Sequence, residues 1–102
     1  MNPLQVHPKA KAELRAARDR YADTDPELAR AFLDEYRDRV RFITRFPGGG
    51  YRIPKHTSAV VRRFLFKRFP YKLIVAVHGD AHVILAIAHD GQDADYWAAR
   101  LT

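Results

Sequence analysis

Apolar residues recur along this chain in two different periods. Over residues 9–22, Ala10, Leu14, Ala17 and Tyr21 fall at spacings of four, three and four, among Ala, Lys, Glu and Arg. That makes one apolar stripe on a helix, and Pro8 suits its first turn, where a missing N–H is not needed. Asp23-Thr24-Asp25-Pro26 interrupts the pattern. Asp25 can cap a second helix, with Pro26 at its first position and Glu27 in its first turn. Leu28, Phe32, Tyr36, Val40 and Ile43 then repeat at helical spacing, with Arg30, Asp34, Arg37, Asp38 and Arg41 on the opposite face. This predicts an amphipathic helix of about five turns, and the short connection makes the pair an antiparallel hairpin. Phe46-Pro47-Gly48-Gly49-Gly50 ends it in a loop.

The second half changes period. Residues 60–66 are rich in β-branched and aromatic side chains and predict a strand. In residues 71–78, Tyr71, Leu73, Val75 and Val77 alternate with Lys72, Ile74, Ala76 and His78, which predicts another. Pro70 fits the start of that strand, and Gly79-Asp80 a tight turn after it. Residues 83–88 are continuously apolar, as in a central strand covered on both faces. Leu4-Gln5-Val6 can add an edge strand, and residues 95–101 are helix-capable, with Trp97 and Leu101 four apart. Helices and strands are segregated. The expectation is therefore an α+β fold: a helix hairpin packed on an antiparallel β-sheet whose last three strands form a meander, with a short C-terminal helix.

Length and composition narrow the class. A chain of 102 residues predicts a single domain over 1–102. An apolar share of 47% and a charged share of 29% exclude wholesale disorder. The chain has no cysteine, which excludes disulfides, a thiolate nucleophile and cysteine-ligated metal. No apolar run approaches the ~18 residues of a membrane span, and residues 1–11 lack a signal-peptide core, so a cytoplasmic protein is expected.

The net charge of +6 is unevenly placed. Residues 1–38 hold seven basic and eight acidic side chains, residues 39–79 hold ten basic and no acidic ones, and residues 80–102 hold four Asp and one Arg. A basic block of that kind points to a polyanionic partner, either nucleic acid or an acidic protein segment. The alternative is a solvated basic face.

Candidate chemistry is sparse. Arg62 and Arg63 lie inside a predicted strand, so alternation sends them to opposite faces, and Lys67 and Arg68 follow at its end. An edge-strand charge that blocks aggregation is the plain reading of such a pair. His78 and His82 flank the Gly79-Asp80 turn at a spacing that could grip a metal with Asp80, but exposed hairpin residues fit as well. His56 lies in a basic loop. His89 ends the apolar strand, and two readings stand: a general acid or ligand-binding group, or a histidine bonded to a turn. Ser58 is the only serine and no Gly-x-Ser-x-Gly elbow surrounds it. The triple glycine lacks the Gly-Lys-Ser/Thr of a phosphate loop, and the basic block has no paired carboxylates. No metal or cofactor is expected.

An ordered set of short motifs carries a resemblance. Tyr21, Leu28-Ala29 and Phe32 come first, then Ile43, Pro47 and Arg62-Arg63. Arg68-Phe69-Pro70-Tyr71, Ile84-Leu85-Ala86-Ile87-Ala88-His89 and Tyr96-Trp97-Ala98-Ala99-Arg100 complete it. Together these resemble the RelE/ParE superfamily of type II toxin–antitoxin (plasmid stabilisation) toxins, over residues 6–100. The resemblance implies a growth-inhibiting bacterial toxin neutralised by a cognate antitoxin, with a helix hairpin on an antiparallel sheet. RelE-like members cut mRNA in the ribosome with a metal-free basic site; ParE-like members block DNA gyrase.

One stretch departs from the family pattern. After the strand-end histidine the family usually carries one or two Arg and then Pro, whereas this chain has Asp90-Gly91-Gln92-Asp93-Ala94. A phosphate-cleaving site loses stabilising charge there and gains repulsion. The ParE-like, gyrase-directed reading is therefore preferred. Ribosome-dependent mRNA cleavage is the alternative, and a weakened, non-toxic member that only binds nucleic acid is a third. The resemblance implies a target-facing patch of Arg62, Arg63, Lys67, Arg68, Lys72 and Arg100. For a nuclease it implies catalytic candidates Lys67, Arg68, His89 and Tyr96.

Overall fold

Two proline-started helices are set by the residues just before them. The computed structural model describes residues 4–54 and 59–101. Helix α1 spans Pro8–Thr24 and α2 spans Pro26–Arg45. His7 Nδ1 accepts the Lys9 N–H at 3.1 Å, and Asp25 Oδ1 accepts the Glu27 N–H at 2.9 Å. Asp25 is extended, and its own N–H donates to the Tyr21 carbonyl at 2.9 Å. One residue thus closes α1 and opens α2, which makes the hairpin tight. The expected stripes face inward: Ala10, Ala17, Phe32 and Ile43 are buried, and Leu14, Tyr21, Tyr36 and Val40 pack against them.

Five strands follow the spatial order β1-β5-β4-β3-β2: β1 Leu4–Val6, β2 Tyr51–Ile53, β3 Val60–Leu65, β4 Tyr71–His78 and β5 Ala81–His89. The expected meander is present, with β3, β4 and β5 antiparallel in sequence order. Gly79 carries the β4–β5 turn at φ 59°, where other residues are strained. Two features were not anticipated. The edge strand β1 pairs with β5 in parallel, so the sheet is mixed, because the whole helix hairpin lies between β1 and the meander. The hairpin strand β2 pairs with β3, Tyr51 opposite Arg63 and Ile53 opposite Val61. At three residues between Gly50 and Pro54 it is too short to show an alternation.

The sheet is covered on both faces, which explains the unbroken apolar run of β5. The helices cover Phe64, Leu73, Val75, Ile84 and Ile87. The other face holds Val61, Ile74, Ala76, Leu85, Ala86 and Ala88 around Trp97. A bulge sits in β5: Ile74 pairs with Ala86, but the next residue, Val75, pairs with Ile84. The extra residue lets Ile84 and Ile87, three apart, both face the helices. Trp97 reaches the second face from a segment of turns ending in a 3₁₀ helix, Ala98–Leu101, in place of α-helix. Its backbone bonds run i to i+3, from Tyr96 to Asp93, Ala98 to Asp95 and Arg100 to Trp97. A segment this short does not offset the cost of α-helix nucleation.

Phe32 is the hub of the helix-side core, with ring centroids 5.4 Å from Tyr21, Phe66 and Phe69 and 5.2 Å from Tyr71. Phe32→Ala should destabilise by about 3–5 kcal/mol and Asp25→Ala by about 1 kcal/mol. Arg30→Ala, which loses an exposed pair with Glu27, should cost under about 0.5 kcal/mol. Urea-unfolding midpoints of the three variants check the order.

Candidate functional site

The short β1 leaves half of β5 with an open edge. The His7 N–H donates to the Ile84 carbonyl at 2.8 Å, and there the pairing stops. The next outward groups are met by side chains. Arg100 Nη1 donates to the Leu85 carbonyl at 2.9 Å, and the Ile87 N–H donates to Glu13 Oε1 at 3.0 Å. Arg100 also grips the Glu13 carboxylate with both nitrogens, at 2.9 and 3.0 Å, and the Tyr96 hydroxyl donates to Glu13 Oε2 at 2.7 Å. The guanidinium lies 5.1 Å from the Tyr96 ring centroid. Burial, and then the hydrogen bond to Glu13, push the Tyr96 phenol well above its ordinary 10.0. Tyr96 and Arg100 therefore fasten the C-terminal segment to α1 and the sheet edge.

A second carboxylate does similar work at the far end of β3. Glu35 is 9% exposed and accepts the N–H of Lys67 and, at 3.0 Å, that of Arg68. This ties the β3–β4 loop to α2 and turns the Lys67 and Arg68 side chains outward. Both line a groove of about 260 Å³ with Asp34, Asp38 and Arg39 of α2. The basic pair thus stands beside acidic groups.

Strand register settles the two arginines of β3. Arg62 pairs with Val75 and so takes the helix side, where its Nη1 donates to the Gly50 carbonyl at 3.1 Å. That contact lies at the hairpin end and keeps the charge out of the apolar core. Arg63 pairs with Ile74 and takes the other face. It stacks 5.6 Å over the ring of Tyr51, which is 63% exposed. Arg63 and Lys72 line a cleft of about 260 Å³ with Ile53, Pro54, Ala94 and Asp95. The Lys72 ammonium lies 3.5 Å from the Asp90 carboxylate.

His89 belongs to neither cluster. Its ring meets Tyr71 edge-on at 5.1 Å, and its Nδ1 accepts the Gly91 N–H at 2.9 Å. Its own N–H donates to Gln92 Oε1 at 2.9 Å. The turn-bonded reading is thus realised, in a cleft between α1 and the end of β5. His56 and Ser58, with the side chain of His78, lie outside the described residues. Among the described residues no three His, Cys, Asp or Glu side chains gather as a metal requires. No described helix is long and apolar enough to cross a membrane.

The sequence-derived residues therefore fall into separate places. Arg63 and Lys72 share one cleft, Lys67 and Arg68 share another, Arg62 sits at the hairpin end, and Tyr96 and Arg100 join the half-buried Glu13 network. Sequence reasoning missed Glu13 and Glu35. A signal was available: Glu13 stands three residues after Ala10 and four before Ala17, and Glu35 three after Phe32, so both lie on apolar stripes.

Comparison with known proteins adds two findings. A family model described as "ParE toxin of type II toxin-antitoxin system, parDE" matches residues 4–94. A solved structure of the chromosomal ParDE toxin–antitoxin system from P. aeruginosa superposes with a TM-score of 0.74 at 26% identity, over 87% of this chain and 96% of that one. No curated protein matches.

Removing one partner of the half-buried Glu13–Arg100 pair should cost more than trimming its edge. Glu13→Ala is expected to lose about 2 kcal/mol, and Tyr96→Phe about 1 kcal/mol, by urea unfolding. The folded Tyr96 pKa is raised, so its contribution is intact below the unfolded value of 10.0 and is lost as pH rises through the folded value. Stability should therefore fall above about pH 10, and less steeply in Tyr96→Phe, as midpoints measured at pH 9 to 11 will show.

Proposed function

The chain belongs to the ParE family of type II toxin–antitoxin toxins, and from that membership we propose that it arrests bacterial growth by binding DNA gyrase and that a cognate antitoxin neutralises it. The observation that carries gyrase over mRNA is the separation of the groups an RNA-cleaving site would use: Lys67 and Arg68 line one groove, His89 lines another cleft, and Tyr96 is held on Glu13. Asp90 stands where the superfamily resemblance leads one to expect Arg, and its carboxylate faces Lys72. The Tyr96 hydroxyl and the Arg100 guanidinium are both engaged with Glu13. His89 has one ring nitrogen committed to a turn. Phosphoryl transfer without metal needs the expected cations and a mobile proton at one point, and Lys67, Arg68, Lys72 and Arg100 all lie away from His89 in other clefts or pairs.

Blocking a protein target needs only a complementary surface. Arg63 and Lys72, with the exposed Tyr51 and Leu65, form the centre of the proposed target-facing patch. Lys67 and Arg68, in a neighbouring groove, and Arg62, on the other face of β3, are the outlying members of the proposed set. The excess positive charge speeds encounter with an acidic partner. The antitoxin fits as a segment with acidic residues that folds on binding.

Induced expression with and without the adjacent reading frame tests the proposal, with growth, plasmid supercoiling and mRNA integrity followed together. Growth arrest, loss of supercoiling and intact mRNA are expected, with relief by the neighbour. Arg63→Ala with Lys72→Ala should weaken inhibition of purified gyrase about tenfold or more while lowering stability by only about 1 kcal/mol, so that the folded variant is what is assayed. Ribosome-dependent mRNA cleavage with normal supercoiling would replace gyrase by mRNA as the target. Absence of arrest would identify a non-toxic family member.

A further inference from the structure

The cleft between α1 and the end of β5 has no part in the proposed target surface, yet its polar groups converge. It encloses about 490 Å³, within the size range of small-ligand pockets. Ala16 and Ile87 give it apolar walls, and Tyr71, His89, Gln92 and Arg20 line the rest.

Each polar group there has bonding capacity that the protein leaves unused. His89 Nδ1 accepts the Gly91 N–H, so the neutral ring must carry its proton on Nε2 and present a donor. Gln92 holds the His89 N–H through Oε1, which leaves its amide NH₂ to donate elsewhere. Tyr71 is only 4% exposed, and its hydroxyl has no hydrogen-bond partner among the described residues. The hydroxyl is not among the buried atoms left without a partner, so it meets solvent at the cleft and is free to donate to a ligand there. Arg20 pairs with no carboxylate among the described residues, and its positive charge is felt at Tyr71.

The charge count fixes the ligand class. Glu13, on the same wall, is already neutralised by Arg100. Arg20 is then the one uncompensated ion in the lining, and it is surrounded by neutral donors. We propose that this cleft binds a single carboxylate on a short apolar chain, such as a glutamate side chain, with Arg20 as counter-ion and His89 Nε2–H, the Gln92 amide and the Tyr71 hydroxyl as donors. A phosphate dianion would carry a second negative charge toward the Glu13 wall with nothing to balance it. The site stands whether or not gyrase is the target.

NMR on the whole folded protein tests it. Long-range nitrogen–proton correlation should find the His89 ring proton on Nε2. Titration with N-acetyl-glutamate N-methylamide should shift that proton, the Gly91 N–H and the Gln92 side chain to saturation, and inorganic phosphate should bind more weakly. Arg20→Gln should weaken carboxylate binding about tenfold or more, as loss of a charge-assisted bond does. Tyr71→Phe should weaken it about threefold or more without lowering the melting temperature, because in the free protein that hydroxyl has no bond to lose. Arg15→Gln, an exposed charge on the same helix, should leave binding unchanged. A ring proton on Nδ1, absence of saturation, undiminished binding in Arg20→Gln, or tighter phosphate binding would each overturn the proposal. In the complex with the co-expressed product of the adjacent reading frame, a cleft already shifted and closed to the probe assigns the carboxylate to that partner. A cleft still open to titration there assigns it to a free carboxylic acid.

Discussion

Glu13 sits where a helix, a sheet edge and the C-terminal segment meet, and its carboxylate is bonded to groups from both of the others. It accepts from the Ile87 N–H, the Tyr96 hydroxyl and the Arg100 guanidinium. Without it the outer edge of β5 past Ile84 would present an unpaired N–H beside a charged arginine. An open edge of that kind is both costly when buried and a template for wrong pairing. The arrangement follows from the length of β1. Three residues of parallel pairing cover three positions of β5, and side chains from either end of the chain complete the rest.

Glu35 repeats the principle on the other helix, with backbone N–H groups of the β3–β4 loop as its donors. In each case a helix is joined to the sheet by a carboxylate that takes main-chain donors, over and above apolar packing. Such bonds have direction, which burial alone lacks. They fix how the hairpin is rotated over the sheet and which way the loop side chains turn. The consequence for charge is that these two carboxylates are turned into the fold, and Arg63, Lys67 and Arg68 of the basic block face outward.

The division of the basic residues follows from strand geometry. Arg62 and Arg63 are adjacent in the chain yet lie on opposite faces, one on a loop carbonyl and one on an exposed tyrosine ring. Lys72 shares the Arg63 face because it is one residue out of phase with the buried Tyr71 and Leu73. A patch that looks continuous in the sequence is therefore several small surfaces, of which the Arg63–Lys72 cleft is the one beside exposed apolar residues.

Sequence alone determined the helix hairpin, the meander and the covered faces, because each depends on local caps and on periods of 3.6 or 2 that one segment can display. Asp25-Pro26 and the alternation from Tyr71 onward are read without any partner. It also determined the family, through ordered motifs spread along the chain. Tertiary structure decided what depends on distant partners. The parallel seat of β1, the three-residue β2 and the bulge that brings Ile84 and Ile87 to one face have no local signature, since pairing across the sheet selects them. The same holds for the Glu13 network, whose members are 83 and 87 residues apart from Glu13 in the chain. A carboxylate on an apolar stripe shows in the sequence that a buried partner must exist. Which partner it is, and that Tyr96 and Arg100 are held there, was decided only when the chain closed on itself.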